Sequence, residues 1–483
     1  MSDVRSSALG GSYERPADAT ARIQFRRGLT LTLMTLFMPG SAQLVTGNRT
    51  VGRIAVRVWL GVLALAGLLL LISLTSRRGL FSLATNTTVL HLGTWLLVAG
   101  AAAWVLLLVD AWRLAQPLHM ERNHRLWMTG LNSALCFVTA GAMLFAAHLV
   151  STSSSVIGTV FASDEVSGPS GGRYNVLLLG GDSGPDRSGV RPDSLTVASI
   201  DADTGRTVLV GLPRNLEDVP FPKGTVMAEQ FPDGFNCDDA CYLNGINTWA
   251  NDHADLFPAS YGEQPGIRVT MDAVEQVTGL KLSYFAMVNM HGFSELIDAV
   301  GGVTVDVQQR TAIGGIGSPI RGYIEAGERK LTGDQALWYS RSRVQNNDFS
   351  RMGRQKCVMA AMLQQLNPRS VLMNAEKIAE SSKALLTTDI PQSDLGAFMD
   401  LALKAKSQKI STVSLVPPVI YTGNPDYPKV RSLVSKAVDK AEGKAAAKKT
   451  SGIMAAKLSV PSVGSSGKDP LKANQSEDLA ASC

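Results

Sequence analysis

The sequence predicts an α/β protein: an extracytoplasmic mixed-sheet domain flanked by helices, preceded by an α-helical membrane region. Three observations carry this. The long apolar runs are confined to the first 150 residues, strand-like and helix-like segments alternate from residue 174 to about 440, and several short apolar strands in that stretch end on charged side chains. The boundaries that follow are a cytoplasmic N-terminal segment (1–28), a membrane region (29–150), a tether (151–173), a folded domain (174–440) and a disordered tail (441–483).

Within the membrane region, residues 54–74, 89–109 and 127–150 are each long enough and poor enough in charge to cross a bilayer. Arg5, Arg15, Arg22, Arg26, Arg27, Arg49 and Arg53 precede or enter the first span, and Arg113, Arg122 and Arg125 lie between the second and third. By the positive-inside rule both segments are cytoplasmic, against a smaller vote from Arg77 and Arg78. Three spans then place everything after Val150 outside. Residues 29–44 are apolar but broken by Pro39, Gly40 and Ser41, and read as a re-entrant or interfacial hairpin; a fourth full span would instead leave the C-terminal domain in the cytoplasm. No apolar segment with a small-residue cleavage site comes early enough for a cleavable signal peptide. The Ser/Gly-rich stretch 151–173 suits a tether.

The folded domain opens with a strand at 175–180 that stops at Gly180 and Gly181, so Asp182 sits where the chain leaves the sheet. Residues 194–200 and 206–212 read as a hairpin about the Asp201-Ala202-Asp203-Thr204-Gly205 turn, which returns Arg214 to the end where Arg191 and Asp193 lie. A helix over 271–278 closes at Gly279, and a strand follows at 283–289. The helix 292–300, the stop at Gly301 and Gly302, and the strand 303–307 complete a strand-helix-strand unit. Thr332 caps a helix through 335–339, a longer helix runs from about 350 to 366, further helices are expected over 370–386 and 393–406, and 409–416 alternates as a strand. The Ala/Lys/Ser/Gly composition beyond residue 440 buries too little apolar surface to fold.

Two clusters carry chemistry. Asp182, Arg191, Asp193 and Arg214 form the first, and the run WYSRSRVQNNDFSRMGRQ supplies Arg341, Arg343, Asp348, Arg351, Arg354 and Gln355. If the chain leaves its helix extended after Tyr339, Arg341 and Arg343 point to the same side, and Arg351, Arg354, Gln355 and Val358 share one face of the next helix. Guanidiniums grip a diphosphate through paired, charge-assisted hydrogen bonds, and two carboxylates join them on such a ligand through a cation, for which Mg2+ is the natural candidate. The same residues would also serve a network of surface ion pairs. Cys237 and Cys241 read as a small disulfide loop; a zinc knuckle lacks a second pair and nearby histidine spacing. Cys136 and Cys357 read as free thiols packed as small hydrophobes, while Cys483 ends a polar tail. A net charge of +5 with no basic stripe interleaved with aromatics argues against nucleic acid as a partner.

Several ordered motifs, NVLLLGGDSG with RPDSL, VGLPRN, LIDAVGGVTVDV, LTGDQALWYSRSR and DFSRMGRQ, resemble those of the LytR-CpsA-Psr family of cell-wall glycopolymer ligases over about residues 174–366. The resemblance implies a membrane-anchored enzyme that takes a glycopolymer from a polyprenyl diphosphate carrier and joins it to peptidoglycan by a phosphodiester bond. On it, Asp182 and Asp193 match the magnesium-binding aspartates, and Arg191, Arg214, Arg341 and Arg343 the arginines on the diphosphate. Asp348, Arg351, Arg354 and Gln355 match a later substrate-binding motif. An apolar tunnel for the carrier is also implied, with Phe285, Val288 and Leu296 as candidates for its wall. Two departures stand out: Asn215 where the family usually has aspartate, and Tyr242 where it often has lysine. A polyprenyl diphosphate hydrolase, with water in place of the sugar acceptor, and a non-catalytic membrane sensor of lipid diphosphates are the alternatives.

Overall fold

The computed structural model describes residues 16–161, 166–182, 191–237, 241–315, 318–344, 347–365, 386–443, 474 and 477–479. They divide into two compact units, one of residues 1–83 and 87–154 and one of residues 84–86 and 155–483.

The first unit is helical: α1 (Pro16–Phe37), α2 (Ser41–Thr46), α3 (Arg49–Thr75), α4 (Arg77–Thr85), α5 (Thr87–Leu114) and most of α6 (Arg122–Val160). Three helices, Arg49–Thr75, Thr87–His119 and Arg122–Val160, are long and apolar enough to cross a membrane. The hairpin expected at 29–44 is a broken helix, and its first arm starts earlier, at Pro16. The break falls at Pro39 and Gly40, where φ is 94°. A Cβ on Gly40 would lie 2.5 Å from Ala55 Cβ and 2.8 Å from Gly52 O, so α2 packs directly on α3. Gln43, fully buried, donates from Nε2 to Leu107 O at 3.0 Å and Asp110 Oδ2 at 3.2 Å, which ties α2 to α5.

The expected tether at 151–173 is half helix, because α6 continues to Val160. Its hydroxyls are satisfied inside the helix, Ser153 Oγ on Leu149 O at 2.9 Å and Thr159 Oγ1 on Ser155 O at 2.7 Å. A Ser-rich composition therefore does not break it.

The second unit is built on a mixed sheet. Its strands are β1 (Arg173–Asp182), β2 (Arg191–Asp201), β3 (Thr207–Leu212), β4 (Tyr284–Asn289), β5 (Val303–Val307), β6 (Thr311–Ile313), β7 (Gly322–Ile324), β8 (Gly327–Leu331), β9 (Leu386–Thr388) and β10 (Ser411–Ser414). Six of them form one sheet in the order β10-β3-β2-β1-β4-β9. The helices are α7 (Val226–Gln230), α8 (Ile246–Asp252), α9 (Gly266–Thr278), α10 (Met290–Ala299), α11 (Gly333–Arg341), α12 (Asp348–Gln365), α13 (Gln392–Lys406) and α14 (Tyr427–Ala441).

The β2–β3 hairpin forms as expected, with Asp201 Oδ1 accepting from Asp203 N, Thr204 N and Thr204 Oγ1 to close the turn. Alternate strand positions face two helical layers. Leu177, Leu179, Val197, Val208 and Val210 pack with Val269, Val274 and Val277 of α9 and Val430 and Val434 of α14. Leu178, Ala198, Ile200 and Leu209 point the other way, onto Met359, Ala360 and Leu363 of α12. Each fully buried valine or leucine contributes roughly 1.5–3 kcal/mol.

The strand-helix-strand unit is only half right. β4 lies parallel to β1, but β5 leaves the main sheet and pairs antiparallel with β8. Gly301 and Gly302, at φ 91° and 87°, turn the chain there, and β5 buries only alternate residues, the pattern of a two-stranded ribbon rather than of a central strand. The helix expected at 370–386 lies outside the described residues except for Leu386, which opens β9. In the stretch expected to be a disordered tail, α14 extends to Ala441, and Asn474 and Glu477 to Leu479 are packed: Thr412 N donates to Glu477 O at 2.9 Å, Leu479 N donates to Ile410 O at 3.0 Å, and Asp478 bridges Ser411. Leu479 is 2% exposed. Cys357, expected to be a free thiol, is buried and disulfide-bonded, a pairing that a lone cysteine on a helix does not announce.

Candidate active site

Strand ends gather the charged residues, as the sequence predicts. β1 and β2 pair antiparallel along their length, which sets Asp182 across from Arg191, and a register shift at Gly180 and Gly181 precedes that pair. The Asp182 side chain lies outside the described residues. Arg191 is exposed at the start of β2 and has no ion pair among the described residues. Two residues on, Asp193 Oδ1 accepts from Arg214 Nη1 at 2.6 Å. Arg214 follows β3 through Pro213, and Asn244 N donates to its carbonyl at 3.0 Å.

Asp348, the first residue of α12, joins the two sequence clusters. Its Oδ1 meets Arg214 Nε at 3.2 Å and Arg343 Nη1 at 3.9 Å, and its Oδ2 meets Arg351 Nη2 at 3.1 Å. The same Arg351 Nη2 donates to Asp193 O at 3.0 Å. Burial opposes ionisation of Asp193, but Arg214 and Arg351 outweigh it and hold its carboxyl below the ordinary carboxylate value. Burial likewise works against the charge on Arg214, yet Asp193 and Asp348 raise its pKa. Three guanidiniums face two carboxylates here, so the cluster carries surplus positive charge before Arg341 is added.

A largely apolar cavity of about 350 Å3 adjoins this cluster. Leu178, Ala286, Val288, Phe293, Leu296, Leu337, Val358 and Met362 line it, together with Asp193, Arg341, Arg351 and Gln355. Val288 and Leu296 are two of the three residues named above as candidates for an apolar wall. Phe285 is on the opposite face of β4, packed into the core beneath the sheet.

Arg354 corrects the sequence reading. It is 2% exposed and turned away from the cavity, with Nε donating to Tyr339 O at 2.7 Å and Nη2 donating to Ser342 O. Burial pushes its pKa down to about 10, so it remains charged at neutral pH. Gln355, on the cavity wall, donates from Nε2 to Ser340 O at 3.2 Å. Helical spacing put these residues on one face but could not show that the carbonyls ending α11 lie against it. Sequence reasoning also missed Trp338, whose ring centroid lies 5.4 Å from Arg341 Cζ and 5.9 Å from Arg321 Cζ. A single aromatic in a run of charged neighbours carries no pattern of its own.

Cys237 and Cys241 are disulfide-bonded, as expected. They close a loop leading into residues 242–244, which lie against the Arg214 segment through Asn244 N on Arg214 O and Leu243 N on Leu216 O, both at 3.0 Å. Asn215 turns from the cluster and donates from Nδ2 to Thr422 Oγ1 at 3.1 Å.

Among the described residues no three His, Cys, Asp or Glu side chains converge as a metal cage. The donor set nevertheless suits a cation held by one or two carboxylates. Asp193 stays ionised, and only its Oδ1 is engaged by Arg214.

The model of the LytR_cpsA_psr family matches residues 146–441. Among characterised proteins, the chain is 28% identical over 220 residues to the polyisoprenyl-teichoic acid–peptidoglycan teichoic acid transferase TagU of Halalkalibacterium halodurans, covering 45% of this chain and 61% of that protein. It is 30% identical over 157 residues to the corresponding TagV of Bacillus subtilis, covering 32% of this chain and 40% of that one. The chain thus spans less than two thirds of the length of these relatives. The crystal structure of B. subtilis TagV aligns with a TM-score of 0.40 and 23% identity, over 56% of this chain and 96% of that one.

Proposed function

Because the chain belongs to the LytR_cpsA_psr family, we propose that it is a glycopolymer phosphotransferase, moving a glycopolymer from a polyprenyl diphosphate carrier to peptidoglycan through a phosphodiester bond. One observation carries the reading. An apolar cavity shares Asp193, Arg341 and Arg351 with an arginine-rich cluster, so one site offers both hydrocarbon and anion contacts, the two halves of a lipid diphosphate.

The residues divide the work by chemistry. Arg214, Arg341 and Arg343 would bind diphosphate oxygens, and Arg191, exposed at the start of β2, would add a further fork. Arg351 is more deeply held, fixing the Asp193 backbone and Asp348. Asp182 and Asp193 would hold Mg2+, which when bound neutralises charge on the phosphates and orients them. An acceptor sugar hydroxyl attacks the phosphorus that bears the glycopolymer, the bond to the carrier phosphate breaks, and polyprenyl phosphate leaves with the electron pair and takes up the proton that the hydroxyl gives off. Asp348, paired with three guanidiniums, organises the cluster. The three candidate spans and the arginine distribution favour a multi-pass membrane protein with this domain outside the cytoplasm.

The test uses the full chain in detergent or liposomes, with radiolabelled glycopolymer on a polyprenyl diphosphate donor and peptidoglycan as acceptor. Transfer should need Mg2+, be abolished by chelator, and fall on the order of 100-fold or more in Asp193→Ala. Phosphate release without transfer would make the protein a hydrolase, and donor binding without turnover a sensor.

A further inference from the structure

The last carbonyls of a helix find no partner within it, and those of α11 lie beside the arginine cluster. Trp338 O accepts from Ser342 N at 2.8 Å. The next carbonyls are taken by side chains of α12: Tyr339 O and Ser342 O by Arg354, and Ser340 O by Gln355. The planar fork of Arg354 therefore spans two carbonyls three residues apart, on either side of Arg341. Among the described residues no carboxylate pairs with it, so these carbonyls, the negative end of the α11 dipole and Tyr339, whose ring centroid lies 5.9 Å from Arg354 Cζ, compensate its buried charge.

We propose that Arg354 is a positioning residue that caps α11 from the neighbouring helix and so sets the direction in which Arg341 and Arg343 present their guanidiniums, without touching the diphosphate itself. With the carbonyls of 339, 340 and 342 held from behind, Arg341 rests against Trp338 and faces the cavity, and Arg343 reaches toward Asp348. A lysine at 354 would keep the charge but lose the fork, because one ammonium cannot hold both carbonyls in the same plane. The inference rests on reading the cluster as the diphosphate site, so its test includes a measurement that needs no substrate.

In the full-length protein, Arg354→Met and Arg354→Lys are compared with Arg341→Ala and with the Arg341→Ala, Arg354→Met double variant. Limited trypsin digestion read by mass spectrometry reports on the segment directly, since its bonds follow Arg341 and Arg343. Ser342 is buried, so cleavage there should be slow in the wild type and on the order of tenfold faster in both Arg354 variants at temperatures where they stay folded. Transfer efficiency should fall on the order of 100-fold in both. The double variant should lose less than the product of the two single losses, because Arg354 then has only Arg343 left to position.

Unchanged cleavage in Arg354→Met, full rescue by Arg354→Lys, or losses that multiply in the double variant would each overturn the proposal. Arg354→Lys preserves most of the volume and all of the charge, so it supplies the proteolysis result should Arg354→Met not fold. A wild type that transfers nothing would defeat the phosphotransferase reading while the cleavage pattern still decided the role of Arg354.

Discussion

At the scale of single residues, Asp348 shows how one carboxylate governs several cations. Removing it leaves Arg214, Arg343 and Arg351 with Asp193 alone to offset their charge among the described residues, and their mutual repulsion should displace them. Asp348→Ala should therefore lower transfer on the order of 100-fold, measured as turnover at saturating donor. Asp193 makes a pH prediction. Its folded pKa lies below the ordinary value of about 3.9, so its contribution to stability is full above that pH and is lost as pH falls through the lower folded value. Thermal unfolding followed below about pH 4 should thus show a shallower decline for Asp193→Asn than for the wild type. All members of the arginine cluster except Trp338 were legible as residue types in the sequence. What was not legible was direction: nothing in the spacing of Arg351, Arg354 and Gln355 distinguishes a side chain facing the cavity from one facing the end of a neighbouring helix.

Among the elements, the β2–β3 hairpin was readable because its turn chemistry is local. Gly205 shows how tightly that turn is set: its φ is 73°, and a Cβ would lie 2.6 Å from Lys404 Cβ and 2.9 Å from Ala405 N. Gly205→Ala should cost about 1–3 kcal/mol, read as a lowered urea midpoint with an unchanged slope. The Cys237 to Cys241 loop is short, and removing its disulfide should cost about 2 kcal/mol on the chain-entropy account. The Thr332 cap was equally readable, since Thr332 and Gln335 form the full capping box. By contrast β8, rich in charge, and the three-residue β9 carry too little pattern to be seen, and with β8 unseen β5 had no visible partner. Strand pairing between distant segments is a tertiary fact, and the strand-helix-strand reading failed at the step that depended on it.

For the molecule as a whole, hydropathy alone located the three long apolar helices, since a charge-poor run of that length suits the hydrocarbon thickness of a bilayer better than the core of a soluble domain. Composition was a poorer guide at the two Ser-rich or Lys-rich stretches, where single residues decide the outcome. Leu479 is the clearest case, buried against Ala198, Leu209 and Ala360 from within a segment whose average composition argues against folding. Leu479→Ala should destabilise the domain by about 2–3 kcal/mol, measured by urea unfolding.

The position of Leu479 in the chain has a temporal meaning. β10 is an outer strand of the six-stranded sheet, and its free side is met by Glu477 and Asp478, which come later in the sequence than every other strand. Until those residues have been synthesised, β10 presents unpaired backbone groups, the kind of surface on which sheets of different molecules join. Closure of this edge therefore waits on residues made after every other strand. A product that stops at Gly443 would keep Arg191, Arg214, Arg341 and Arg343 and leave an adhesive border.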